Sequence, residues 1–283
     1  MIFMRLATVL GTNGPVAVVE RADGRFMILD GEGRPYADVG ALLRAPGDWR
    51  ESANRARVAV PANSQILRPV LEPGAVVCVG LNYRKHVLEM GRQLPTVPTY
   101  FAKLPRALTN PNTSIIMPSD SPAVDYEGEL AVVIGKGGRN IASKDAWDAV
   151  AGVTLLNDVS MRDWQKRSIQ FFAGKTWEEC TPFGPAVVTL DELPDLGSRE
   201  IVTRVNGAER QRSPISDLIF DVPTLIADLS RIISLRPGDL IATGTPGGVG
   251  EGMKPPSYLQ PGDSVEISLE GIGVLRNTFE RAL

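Results

Sequence analysis

The sequence predicts an α+β protein that is mainly β. It should form a mixed, largely antiparallel β-roll or barrel over residues 71–283, after a small α+β unit over residues 1–70. Three observations carry this reading. Short apolar runs bounded by turn residues fill most of the chain, which is the pattern of strands. The phrase Leu-x-Pro-Gly recurs at Leu71, Leu235 and Leu259, each time ahead of a β-rich run. Proline presets φ for a turn and glycine accepts the positive φ that follows, so each phrase marks a strand entrance. Its irregular spacing argues against a solenoid. Third, helical periodicity is confined to a few short stretches.

Taken in order, Leu6–Leu10, Val16–Val19 and Phe26–Leu29 read as strands separated by GTNG and ADG turns. A helical patch follows over Asp38–Arg57, and Pro61, Pro69 and Pro73 then mark a boundary. Beyond it, AVVCVGLNY, LAVVIG and VTLLND are apolar runs of strand length. Ser143 is placed to N-cap a helix over Lys144–Val150, and Asp221 one over Val222–Leu235. Pro237-Gly238 supplies the stop for the second. Val265, Ile267 and Leu269 alternate with polar residues, and Glu270-Gly271 turns into Val274–Phe279, giving a hairpin.

Composition removes several classes of function. The net charge is −3, so nothing favours nucleic acid or an anionic membrane as a partner. No run approaches the length of a transmembrane helix. The start, MIFMRLATVLGTNG, lacks the marks of a signal peptide. Cys78 and Cys180 are too few for a disulfide scaffold, and a reduced, cytoplasmic compartment fits. His86 is the single histidine, which excludes multi-histidine zinc sites. Gly174-Lys175-Thr176 imitates the end of a P-loop, but position 169 is Ile where a glycine is required. The glycines of 244–252 precede no helical periodicity, so they do not form a dinucleotide-binding turn.

The informative segment is Asp125-Tyr126-Glu127-Gly128-Glu129. On a strand, Glu127 and Glu129 face the same side. Two close carboxylates repel unless a cation lies between them. Asp158 ends another apolar run and supplies a third. Three carboxylates suit a hard divalent cation, Mg²⁺ or Mn²⁺. The same spacing also fits a solvated strand edge. His86 and Glu89 are helix neighbours at i, i+3, so Glu89 could orient the imidazole as a general base. An exposed surface histidine fits equally. Lys175 lies in an apolar stretch and reads as a substrate-facing cation or as a snorkelling surface lysine. Arg162 and Gln165 follow Asp158 closely, and Arg162 suits either a substrate carboxylate or a surface ion pair. Thr243-Gly244-Thr245-Pro246 offers hydroxyls and a close backbone approach, or is an ordinary turn.

In order, VGLNYRKHVLEMG, YFAKLP, DYEGELAVVIGKGGRNI, NDVSMRDWQ, GKTWEECTPFGP, VNGAERQ, LIFDVPTLIADLS, LRPGDLIATGTPGGVG and LQPGDSVEISLEGIGVLRN resemble the fumarylacetoacetate hydrolase family, in its longer bacterial type. The resemblance spans about Val76 to Asn277. It implies the family's β-roll, a homodimer and a metal site at Glu127, Glu129 and Asp158. It further implies a His86–Glu89 dyad on a short closing helix, a catalytic Lys175, and Arg162, Gln165 and Thr245 lining an oxo-acid pocket. Leu104, the TNPNTS stretch and Cys180 depart from the family's usual pattern, which bears on substrate choice. The activity this implies is metal-dependent hydrolysis of the C–C bond of a 2,4-dioxo acid of the acylpyruvate type. The alternatives are isomerisation or decarboxylation of a 2-hydroxyhepta-2,4-diene-1,7-dioate-type substrate, oxaloacetate decarboxylation, or oxo-acid binding without catalysis.

Overall fold

The computed structural model describes residues 4–89, 91 and 93–282. The N-terminal part holds β1 (Arg5–Gly11), β2 (Gly14–Arg21), β3 (Gly24–Met27), α1 (Val39–Arg44), α2 (Trp49–Arg55), β4 (Val58–Val60) and β5 (Ile66–Leu67). Next come β6 (Val76–Gly80), α3 (Arg84–Glu89), β7 (Thr99–Lys103), β8 (Leu108–Thr109), β9 (Ser114–Met117), β10 (Val124–Asp125) and β11 (Gly128–Ile134). They are followed by β12 (Val150–Asn157), β13 (Ser160–Met161), α4 (Arg162–Gln165), α5 (Phe172–Lys175) and β14 (Thr181–Val188). The chain ends with β15 (Glu200–Val205), β16 (Ala208–Pro214), α6 (Val222–Ile232), β17 (Leu240–Ala242), β18 (Ser264–Leu269) and β19 (Gly273–Arg281).

The mainly-β expectation holds, and most elements lie where the pattern put them. The third N-terminal strand sits two residues earlier than expected. The patch over Asp38–Arg57 is two helices, capped by the carboxylates of Asp38 and Asp48. Two details are corrected. Ser143 is not an N-cap. It is the first residue of a 3-10 helix over Ser143–Ala149, whose cap position, Ala142, has no side-chain acceptor. Helix α6 begins as expected, with the Asp221 carboxylate accepting the Thr224 N–H. It stops at Ile232, and Ile233 is already extended.

A twelve-stranded sheet runs β4-β3-β2-β1-β14-β12-β11-β17-β6-β7 among the described residues, with β5 on β1 and β8 on β14. Strands β11 and β12 are buried along their whole length, as near-continuous apolar runs require when both faces are covered. A five-stranded sheet runs β16-β15-β18-β19-β9, and β18 alternates buried and half-buried residues. Neither sheet closes on itself. The large one curls, because Lys103 on its edge strand β7 reaches Thr181 at the start of β14. The architecture is therefore an open roll. The first 70 residues join the same sheet through β1–β14, and Leu6, Ala17 and Val19 share a core cluster with Ala131, Val133, Leu156 and Val187. In the recurrent turn phrases, Asp239 and Asp263 each accept the N–H three residues back, at Arg236 and Gln260. No described helix is long and apolar enough to cross a membrane.

Register decides where chemistry can gather. Antiparallel pairing sets Gly128 at the start of β11 opposite Asn157 at the end of β12. On its other side β17 runs antiparallel, so Thr243 and Gly244 emerge beside the same point. Three strand ends thus meet at one place.

Candidate active site

At that place Glu127 immediately precedes β11, Glu129 lies on it, and Asp158 follows β12. All three are buried, and one oxygen of each lies within 4.8 Å of the others. The intervening Gly128 has a steric reason. A Cβ there would sit 2.1 Å from the Thr203 hydroxyl of β15, where the two sheets touch. The Glu127 N–H is held by the Asn157 side-chain oxygen at 3.0 Å. Glu129 accepts the Gly244 N–H at 2.9 Å. Gly244 has φ +102°, and a Cβ there would come within 2.9 Å of Asn82 Cβ.

Cations converge on the carboxylates. Lys175 Nζ lies 2.8 Å from Glu127 Oε2 and 2.9 Å from Asp158 Oδ2. Lys103 Nζ lies 2.6 Å from Asp158 Oδ1. Arg162 donates from Nε to Asp125 at 2.8 Å, and its Nη1 lies 2.6 Å from Glu127 Oε1 and 3.0 Å from Gln165 Oε1. Asp125 is itself fixed by the N–H groups of Gly250 and Glu251. The glycine-rich loop that failed as a nucleotide site therefore serves as a source of N–H donors for carboxylates.

Burial alone would raise the Glu127 carboxyl, but Lys175 and Arg162 outweigh it and hold it at about 2. Burial, Asp158 and Glu127 push Glu129 the other way, well above the usual carboxylate range. Burial lowers Lys175, yet Asp158 and Glu127 override it and leave the ammonium more basic than usual. The donor set is all carboxylate oxygen, and the hydrogen bond that Glu129 accepts comes from a neutral N–H. That chemistry fits a hard divalent cation.

Of the residues expected from sequence, Glu127, Glu129, Asp158, Lys175, Arg162 and Gln165 form this one cluster. The Thr245 hydroxyl adjoins it, donating to the Gly128 carbonyl at 3.0 Å. Arg162 is committed to buried carboxylates, and its surface-pair alternative is thereby overturned. Lys175 is buried and does not snorkel. His86 sits half-buried on α3. The start of α3 is tied to the cluster through Asn82, whose side-chain amide donates to the Thr243 carbonyl at 2.8 Å. The side chain of Glu89 lies outside the described residues.

Sequence reasoning missed Lys103, Asp125 and Gln211. Gln211 accepts the Gly128 N–H and donates to Thr245 Oγ1 and to the Pro246 carbonyl. Asp125 carried a signal, since it continues the i, i+2 alternation back from Glu127 and Glu129. Lys103 ends the apolar-rich strand TYFAK, a position that wants a buried partner.

Residues 75–280 match the model of the family described as Fumarylacetoacetate (FAA) hydrolase C-terminal. The chain belongs to the fumarylacetoacetate hydrolase family. It is 43% identical over 213 residues to oxaloacetate tautomerase YisK of Bacillus subtilis, covering 74% of this chain and 71% of that one. Among solved structures, fumarylacetoacetate hydrolase from psychrophilic Exiguobacterium antarcticum superposes with a TM-score of 0.87 at 35% identity, over 99% of this chain and 100% of that one. The 5-carboxymethyl-2-hydroxymuconate delta-isomerase from Mycobacterium smegmatis gives 0.80 at 33%, over 99% and 100%. The chain is an enzyme of this family.

Proposed function

We propose that the enzyme moves a proton between carbon and oxygen of a small 2-oxo dicarboxylate, as a tautomerase or isomerase of oxaloacetate or of a 2-hydroxydienedioate. The observation that carries this reading is the buried Glu127, Glu129 and Asp158 cluster with the Lys175 ammonium against it, in a chain 43% identical to an oxaloacetate tautomerase. C–C hydrolysis, the activity expected from sequence, is less favoured, because the similar curated protein is a tautomerase.

Glu127, Glu129 and Asp158 would hold the cation, Mg²⁺ or Mn²⁺. When bound, it supplies Lewis-acid polarisation of a carbonyl oxygen. The chain's own groups supply the proton traffic. Lys175 keeps its proton, because two carboxylates favour the ammonium. It therefore acts as a hydrogen-bond donor to an enolate oxygen and not as a base. His86, on the short helix anchored by Asn82, takes the proton from the carbon next to the carbonyl. Return of that proton to carbon or to oxygen interconverts keto and enol forms with no net gain or loss of atoms. Burial of the cluster keeps bulk water from the enolate.

The test is oxaloacetate dissolved as one tautomer and followed by its ultraviolet enol band, with pyruvate assayed in parallel. The enzyme should speed the approach to tautomeric equilibrium without yielding pyruvate, and EDTA should stop it. Pyruvate release from acylpyruvates with no effect on the enol band would instead favour the hydrolase. No change in either assay would favour an oxo-acid-binding protein.

A further inference from the structure

Two buried lysines touch Asp158, and only Lys175 has a part in the chemistry above. Lys103 is fully buried and lies 2.6 Å from Asp158 Oδ1, while Lys175 lies 2.9 Å from Oδ2. The Lys103 ammonium also donates to Thr181 Oγ1 at 2.8 Å and to the main-chain carbonyl of Lys175. A second bond straps the adjoining residues, with the Leu104 N–H on Thr176 Oγ1 at 2.9 Å. Phe101 lies two residues before Lys103 on β7, on the same side of the strand. The Lys175 Nζ sits 5.4 Å from the centre of its ring. Alternate side chains of one strand thus hold Lys175 at both ends, Phe101 at the ammonium and Lys103 at the backbone.

We propose that Lys103 is a positioning residue that aims the Lys175 ammonium, by holding the Lys175 carbonyl and one oxygen of Asp158 at once. The ammonium donates to the Thr181 hydroxyl and to the Lys175 and Val159 carbonyls, and pairs as an ion with Asp158 Oδ1. The arrangement divides the work. Lys103 keeps Asp158 Oδ1 whatever occupies the site. Lys175 touches Glu127 and Asp158, two of the candidate metal ligands, and is free to exchange them for substrate. The inference rests on the oxo-acid reading, since aiming Lys175 matters only where it meets a ligand.

Lys103→Met removes the ammonium and keeps an unbranched chain for the buried space. Calorimetry of the full-length protein then reads two affinities: Mn²⁺ for the metal-free protein, and oxalate for the Mn²⁺-loaded protein. Oxalate affinity should fall on the order of 10–100-fold, the usual loss for a residue that orients a site group. The Mn²⁺ dissociation constant should hold or decrease, because Asp158 loses a competing cation. A purely structural lysine would instead weaken Mn²⁺ and oxalate together, and that result overturns the proposal. Thr181→Val loosens Lys103 without removing it and should weaken oxalate by less than Lys103→Met, with Mn²⁺ unchanged. It decides the matter alone if Lys103→Met does not fold, and unchanged oxalate affinity would then reject the role. Should wild type bind Mn²⁺ but no oxalate, the oxo-acid reading fails. The role of Lys103 rests on that reading and falls with it, whereas oxalate binding by wild type with unchanged affinity in Lys103→Met rejects the role alone.

Discussion

Glu129 is the carboxylate least reconciled with its surroundings. Burial and two neighbouring carboxylates raise it, so in the metal-free protein it favours its protonated form. A cation requires the ionised form, and binding must then release a proton. The sign follows. A raised carboxyl is stable while protonated and becomes costly as pH rises through its folded value, so cation affinity increases with pH. Titration of Mn²⁺ in two buffers of different ionisation heat should give heats that differ by the proton released. Equal heats would contradict the argument. Glutamine resembles the protonated carboxyl in size and polarity. Glu129→Gln should therefore keep the melting temperature of the metal-free protein within about 2–4 °C, the shift for 1 kcal/mol in a chain of this size. It should nonetheless lose metal-dependent turnover. A larger fall in melting temperature would show that the ionised form supports the fold.

Elements differ in how far sequence could reveal them. Strand β11 and helix α6 were legible, because apolar runs, alternation and an Asp cap act over a few residues. The Glu127 and Glu129 pair was legible for the same reason. Lys103 was not, since its partners Asp158, Lys175 and Thr181 come from distant parts of the chain and local spacing carries no trace of them. The Ser143 cap failed because a polar residue suited to a cap can equally sit inside a short 3-10 turn. The strand-to-loop joint after β17 supplies a test at this scale. Gly244→Ala places a side chain at φ +102° and against Asn82. Strained backbone of this kind costs on the order of 1–3 kcal/mol. Urea unfolding should register that loss, and Mn²⁺ binding should weaken because the N–H on Glu129 is disturbed. Unchanged stability would mean the loop relaxes freely.

At the scale of the molecule, the resemblance carries the expectation of a homodimer. Sedimentation of the full chain should give twice the 30.5 kDa monomer mass, and a monomer at micromolar concentration would reject it. The wide dispersal of the site along the chain has a consequence for folding rates. Gly244 and Glu129 are 115 positions apart, and Gly250 and Asp125 are 125 apart. Loops that long close late, after most local structure has formed. The three carboxylates themselves lie on or next to adjacent strands, 31 positions apart at most, but the Gly244 N–H that fixes Glu129 arrives only with the distant β17, so the completed junction forms late and a cation there would act mainly on the finished protein. Contacts absent from the transition state slow escape from the native basin without hastening entry. Mn²⁺ should thus leave the refolding arm of a chevron plot where it is and lower the unfolding arm. The cation would work as a latch on a door already shut, lengthening the life of the folded chain and not guiding its assembly.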